Sequence, residues 1–292
     1  MTPARPSSRR PAGGSPGGTA PARPADAVGG ARRWQPTAGR DAALPPLVLI
    51  AHGSRDPRHA ATVGELAAAV AASRPGLRVE TAFLDLCAPD VPHVVAGLAA
   101  AGVREAVALP LLLTRAFHAK ADVPAVLRRA AVRSPALRLR PAAVLGPSPL
   151  LTAALERRLA EAGVRPADRA ATSVVLAAAG SSDPAANAVV EQVAGDWRRA
   201  AGWAEVVPAY ASASGPRTED AVRALRSRGA GRIAVAPYVL APGFLPDRIA
   251  RGALAAGADL LAPVLGPAPE VADLILHRYA QALAAAPLPA AA

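Results

Sequence analysis

Two histidines are the residues of this chain best suited to chemistry. His52 follows the apolar run Leu47–Ala51 and opens the segment A-H-G-S-R-D-P at 51–57, and His118 lies in F-H-A-K-A-D-V-P at 117–124. Imidazole is the commonest side-chain metal ligand and the group that titrates nearest neutral pH. A pair on separate loops can hold a divalent ion while leaving most of its coordination positions open, which suits a metal in transit. A structural zinc would need four protein ligands, and the single cysteine, Cys87, leaves no clustered Cys/His spacing for one. Two neutral imidazoles favour Fe, Co, Ni or Zn over Mg or Ca.

The chain also supplies its own control. LVLIAHGSRDP at 47–57 recurs as VVLAAAGSSDP at 174–184, VETAFLD at 79–85 as VVPAYAS at 206–212, and VALPLLLTRAFH at 107–118 as AVAPYVLAPGFL at 234–245, all at an offset of 127 residues. A repeat of this size is a duplicated domain. His52 falls opposite Ala179 and His118 opposite Leu245, so at these two positions only the first copy keeps imidazoles. Residues shared by both copies are expected to serve the fold: Gly53/Gly180, Ser54/Ser181, Asp56/Asp183 and Pro57/Pro184 predict a turn and a helix cap. Phe83/Tyr210 and Phe117/Phe244 are expected in the repeated core. His59, His93 and His277 are expected on exposed helix faces, Cys87 as a small buried hydrophobe, and Asp122 as a helix cap, with orientation of His118 as its second reading.

These side chains must be positioned by alternating strands and helices. Short apolar runs closed by Gly, Pro, Asp and Ser predict strands at 47–51, 79–84, 106–113 and 138–144, with helices at 58–73, 91–101, 123–132 and 148–162. The second half predicts strands at 173–178, 204–210, 231–239 and 258–264, and helices at 185–201, 217–228, 246–256 and 269–285. The fold class is α/β, two tandem sandwich domains with parallel sheets, each with its own core. The expected organisation is a basic Pro/Gly/Ala-rich disordered tail over 1–44, a site-bearing domain over 45–162, a linker over 163–172, a degenerate second domain over 173–286 and a short tail over 287–292. In such folds ligands bind at the carboxyl ends of the strands. Both histidines follow strand ends.

Composition narrows the function classes. The 292 residues carry a net charge of +11, but seven arginines against two aspartates in the first 44 residues supply about five of those charges. The folded part is moderately basic, which suits an acidic small molecule. With 3% aromatic residues, stacking platforms for single-stranded nucleic acid are scarce, so no nucleic-acid partner is expected. No uninterrupted apolar run is long enough to span a bilayer, and the first residues lack a signal-peptide core. The expectation is a cytoplasmic protein with no membrane partner.

The segments A-H-G-S-R-D-P, V-E-T-A-F-L-D and F-H-x-x-x-D-V-P together resemble the sirohydrochlorin cobalto/ferrochelatases, the CbiX/SirB family of class II chelatases, in its long two-domain form. The resemblance covers about residues 46–285. It implies a chelatase-like fold and ATP-independent insertion of Co2+ or Fe2+ into sirohydrochlorin, in siroheme or cobalamin biosynthesis, with the metal as substrate and no organic cofactor. It also implies that His52 and His118 bind the metal and assist proton removal. His118 is the principal ligand and base candidate. Asp85 stands where family members often carry Glu; Glu80 is its alternative, and strand alternation lets at most one of the two reach the cleft. Arg55, Arg58, Arg115 and Lys120 flank the histidine loops and are candidates for pairing with the substrate's carboxylates. Short family members pair as homodimers, so a monomer with an internal pseudo-dimer is expected. A histidine phosphatase is disfavoured because Ala51 stands where an arginine would hold phosphate. A non-catalytic metal or tetrapyrrole carrier would use the same residues and is separated by turnover.

Overall fold

The computed structural model describes residues 44–114 and 121–285. The first half runs β1 (Leu47–Ala51), α1 (Pro57–Ser73), β2 (Val79–Phe83), α2 (Val91–Ala100), β3 (Glu105–Pro110), α3 (Val123–Arg133), β4 (Arg138–Pro141) and α4 (Pro149–Glu161). The second runs β5 (Thr172–Ala178), α5 (Pro184–Ala201), β6 (Glu205–Tyr210), α6 (Thr218–Ser227), β7 (Arg232–Tyr238), α7 (Phe244–Ala255), β8 (Leu260–Leu261) and α8 (Pro269–Ala284). Each half forms a parallel four-stranded sheet, ordered β2-β1-β3-β4 and β6-β5-β7-β8. The central strands β1 and β5 are buried along their whole length, as their unbroken apolar sequences require. Helices start on side-chain caps at Asp56, Asp90, Ser148 and Asp183, each followed by proline in the first turn, where the missing proline N–H costs nothing.

Several elements differ from expectation. The edge strands are short: β4 ends at Pro141, and β8 pairs over only two residues before Pro263, because proline cannot donate to the ladder. β3 likewise ends at Pro110. The segment expected as a linker contains a 3-10 turn over Pro166–Ala171. Asp122 occupies the cap position of α3 with no capping bond from its side chain. The expected terminal tails lie outside the described residues, apart from Leu44.

The halves do not bury separate cores. Each has an outer cluster, one around Ile50, Val95 and Leu127 and the other around Val175, Val222 and Ile249. A third, central cluster is continuous from Leu49 and Leu109 of the first sheet to Leu176 and Ala236 of the second. It is closed by exchanged helices: α4 packs on β7 of the second sheet, and α8 packs on β3 and β4 of the first sheet and on α1. Polar bonds fix the exchange. The Tyr279 hydroxyl of α8 donates to the Pro45 carbonyl at 2.7 Å, Arg278 to Leu145 O at 3.0 Å, and Arg158 of α4 to Leu265 O at 2.8 Å. Glu156 of α4 accepts from the indole nitrogens of Trp197 at 2.6 Å and Trp203 at 3.0 Å and pairs with Arg169.

Replacing Glu156 with Ala leaves two buried indole N–H groups without that acceptor, and is expected to lower unfolding stability by about 2–3 kcal/mol. Urea titration followed by tryptophan emission measures it; an unchanged midpoint would show that α4 is not anchored through this carboxylate.

Candidate active site

The exchange leaves a cavity of about 410 Å³ between the carboxyl ends of the two sheets, within the size range of small-molecule sites. Its walls are built from equivalent pieces of both repeats: residues 51–54 and 178–181 after the central strands, and 111–114 and 238–241 after β3 and β7. Val63, Leu66, Leu111 and Val190 make much of the surface apolar.

The loop carrying His52 is over-determined by its backbone. Asp85 N donates to His52 O at 3.0 Å and Leu84 N to Ala51 O at 2.9 Å, so the β2 loop is laced to the β1 loop. Gly53 has φ +98°, and a Cβ there would overlap the Asp85 carbonyl oxygen. Gly180 repeats this against Ser212 with φ +87°. Ser54 Oγ accepts from Asp56 N and Ser181 Oγ from Asp183 N, each at 3.1 Å, and Asp56 and Asp183 then cap α1 and α5. The shared residues shape the turn, as the repeat predicts. Cys87 is half-buried rather than buried: its thiol donates to Ser54 O at 2.9 Å and accepts from Ser54 N at 3.4 Å, a third tie between these loops.

On this turn His52 is presented to the cavity in the first half, while Ala179 and Leu245 line it from the second. His59 corrects the expectation of an exposed helix residue. The first turn of α1 brings it back beside His52, where it lines the same wall, half-buried, 6.3 Å from the Phe83 ring centroid. Its Nδ1 is buried without a hydrogen-bond partner. Burial, and then the neighbouring His52, hold its pKa below the ordinary histidine value against the opposing pull of Asp56. A sequence signal existed, since His59 falls opposite Ala186 and is also unique to the first copy. From the second half comes Tyr238, whose hydroxyl is buried with no partner among the described residues and whose ionisation is pushed up by desolvation. His93 and His277 are exposed, as expected.

The other candidates divide. His118, Arg115, Lys120 and Phe117 lie outside the described residues; Leu111–Thr114, just before them, line the cavity. Asp85 is exposed beside the His52 loop and its side chain accepts from Leu86 N at 2.7 Å. Glu80 pairs with Arg78 at 2.7 Å near the start of β2, away from the cavity wall. Neither carboxylate lines the cavity. Arg55 is exposed. Arg58 is engaged by Asp56 and, across the halves, by Asp247 of α7 at 2.6 Å; bonds to those two carboxylates raise its pKa. Its charge is thus directed at the protein's own acids, a solvated bridge of small stabilising worth. Phe83 and Tyr210 are core, but Phe244 is 70% exposed at the cavity mouth instead of buried.

The family model named CbiX matches twice, over residues 46–162 and 173–282. The chain belongs to the CbiX family. Relatives of this CbiX chain include the sirohydrochlorin ferrochelatase of Bacillus subtilis (strain 168), 29% identical over 208 residues that cover 70% of this chain and 77% of that protein. A sirohydrochlorin cobaltochelatase of Priestia megaterium is 25% identical over 210 residues, covering 70% of this chain and 66% of that one. The solved structure of SirB from Bacillus subtilis with Fe3+ superposes with a TM-score of 0.72 at 26% identity, covering 82% of this chain and 96% of that one. The CbiX match falls on both copies, and the duplicated parallel α/β fold expected from sequence is the fold observed.

Gly53→Ala and Gly180→Ala should each cost about 3 kcal/mol, since both add backbone overlap to positive-φ strain. Gly76→Ala, with φ +84° in open space, should cost only about 1 kcal/mol. Thermal and urea unfolding of the three variants compare them; a Gly53→Ala variant as stable as Gly76→Ala would refute the close approach.

Proposed function

We propose that this protein is a sirohydrochlorin chelatase, inserting Co2+ or Fe2+ into sirohydrochlorin without ATP and without an organic cofactor. The reaction exchanges one divalent cation for the two protons of the pyrrole nitrogens. The observation that carries the reading is the asymmetric cavity: two CbiX copies close on one space, and imidazole stands at the strand end of only one. Names of relatives that act on sirohydrochlorin with iron or cobalt support the substrate class.

The chemistry needs a cation stripped of part of its water shell at the ring face and a base for the protons. Imidazole serves either task, though one ring cannot hold the metal and accept a proton on the same lone pair. His52, on the rigid turn, and His118 are proposed as metal ligands and proton acceptors, with His118 the principal ligand. His59, whose pKa burial lowers, adds an imidazole beside His52 in the cavity wall. The described helices include none long and apolar enough to cross a membrane. We further propose a cytoplasmic protein with no nucleic-acid or membrane partner, monomeric because the second copy supplies the opposite wall.

Purified protein with Co2+ or Fe2+ under anaerobic conditions is expected to convert sirohydrochlorin to its metallated form without ATP, read from the visible bands. His52→Ala and His118→Ala should each lower the rate on the order of 100-fold, the range of one general acid–base group, and His59→Ala by a smaller factor. A rate no faster than the spontaneous one would favour a carrier. A double His52/His118 variant with wild-type turnover would overturn the site assignment alone.

A further inference from the structure

Beside the cavity, a second groove of about 470 Å³ lies between α6 and α7 and is lined by Arg223, Arg248, Arg251, Glu219 and Phe244. Phe244 lines both spaces, so the groove begins at the cavity mouth. Its sequence logic is helical: Phe244, Arg248 and Arg251 stand at i, i+4 and i+7 of α7 and share one face. Arg223 comes from α6, which packs on α7. Glu219 lies against Gly252, where a Cβ would strike its carboxylate. Three guanidinium groups therefore face one carboxylate. Arg248 and Arg251 have no ion-pair partner among the described residues, and Arg223 reaches only the exposed Asp220, at 3.6 Å. Arg58, one of the four basic residues that the sequence offers as candidates, is by contrast paired twice.

The repeat gives independent support. At the offset of 127, Arg223, Arg248 and Arg251 fall opposite Ala96, Ala121 and Pro124. At these positions the three arginines belong to the second copy alone, as the imidazoles at 52, 59 and 118 belong to the first. We propose that this groove is the subsite for the substrate's peripheral carboxylates, with Phe244 stacking on the macrocycle at the cavity mouth. The ligand it fits has a flat apolar face bordered by acids. Exposed guanidinium forks bind carboxylates bidentately, and an exposed aromatic ring supplies apolar contact beside them. The second half then binds substrate while the first half handles metal and protons. This inference rests on the chelatase reading.

The test compares wild type with the triple variant Arg223→Ala/Arg248→Ala/Arg251→Ala and with Phe244→Ala, using sirohydrochlorin and its fully esterified, uncharged form. The triple variant should raise KM for the free acid at least tenfold with kcat changed less than twofold and KM for Co2+ unchanged, and should flatten the salt dependence of KM. With the ester it should match wild type, whereas Phe244→Ala should weaken both forms. An active wild type whose KM for the free acid is unmoved by the triple substitution would overturn the groove while leaving the chelatase reading intact. A wild type that neither binds nor turns over sirohydrochlorin would overturn the chelatase reading, and the groove assignment with it.

Discussion

The interaction on which the rest depends is the exchange of terminal helices between the two sheets. A parallel sheet needs cover on both faces, and here the inner face of each is finished partly by the helix that ends the other half. The central apolar cluster cannot be divided at the chain midpoint without exposing Leu155, Leu159, Ile275 and Tyr279, all of them essentially buried. Burial on this scale dominates folding energetics. It holds the carboxyl ends of β1 and β5 against one cavity, a placement that no single ion pair at the rim, such as Arg58–Asp247, is strong enough to impose.

Within that frame the two copies separate what the fold needs from what chemistry needs. Gly53 and Gly180, Ser54 and Ser181, and Asp56 and Asp183 make the same turn with the same bonds. A turn so constrained sets the direction of the residue before it with little dependence on that residue's identity. It can therefore display alanine at 179 and imidazole at 52 without changing shape. Cys87 strengthens the first turn through its bonds to Ser54. In the second copy the Ser212 hydroxyl ties the β6 loop to Ala179 O at 2.9 Å, a different side chain joining the corresponding loops through a different acceptor.

Most of the fold was legible because its signals are local. Apolar runs of strand length, Asp-Pro caps and closing glycines gave the element order, with boundaries shifted where Pro110, Pro141 and Pro263 cut strands short. The helix exchange was not legible. The apolar faces of α4 and α8 look the same whichever sheet covers them, and sequence periodicity reports that a face is buried but not what buries it. The same blindness explains Phe244: pairing it with Phe117 suggested core, but its place at the start of α7, beside the cavity mouth, leaves it in solvent. The candidate site was legible in part. His52 is named by its strand end, whereas His59 required knowing that the first turn of α1 folds back over the loop. Arg58 looked available for a ligand because Asp247, 189 residues away, is distant in sequence.

A duplicated domain begins with two equivalent walls, and a flat ligand between them meets each functional group twice. On the proposed reaction one cation approaches the macrocycle, so a second set of imidazoles adds competing ligands for the metal without supplying a further product. With Ala179 and Leu245 at those positions, that competition is absent there. This also leaves the second half unconstrained by metal chemistry, and there α7 can carry Arg248 and Arg251 at positions that Ala121 and Pro124 fill in the first copy. On the proposed assignment the asymmetry of a fused chain permits the two halves to specialise, one presenting nitrogen lone pairs on a constrained turn and the other presenting charge complementary to an acidic rim. A symmetric pair of identical chains would have to place both functions in each copy.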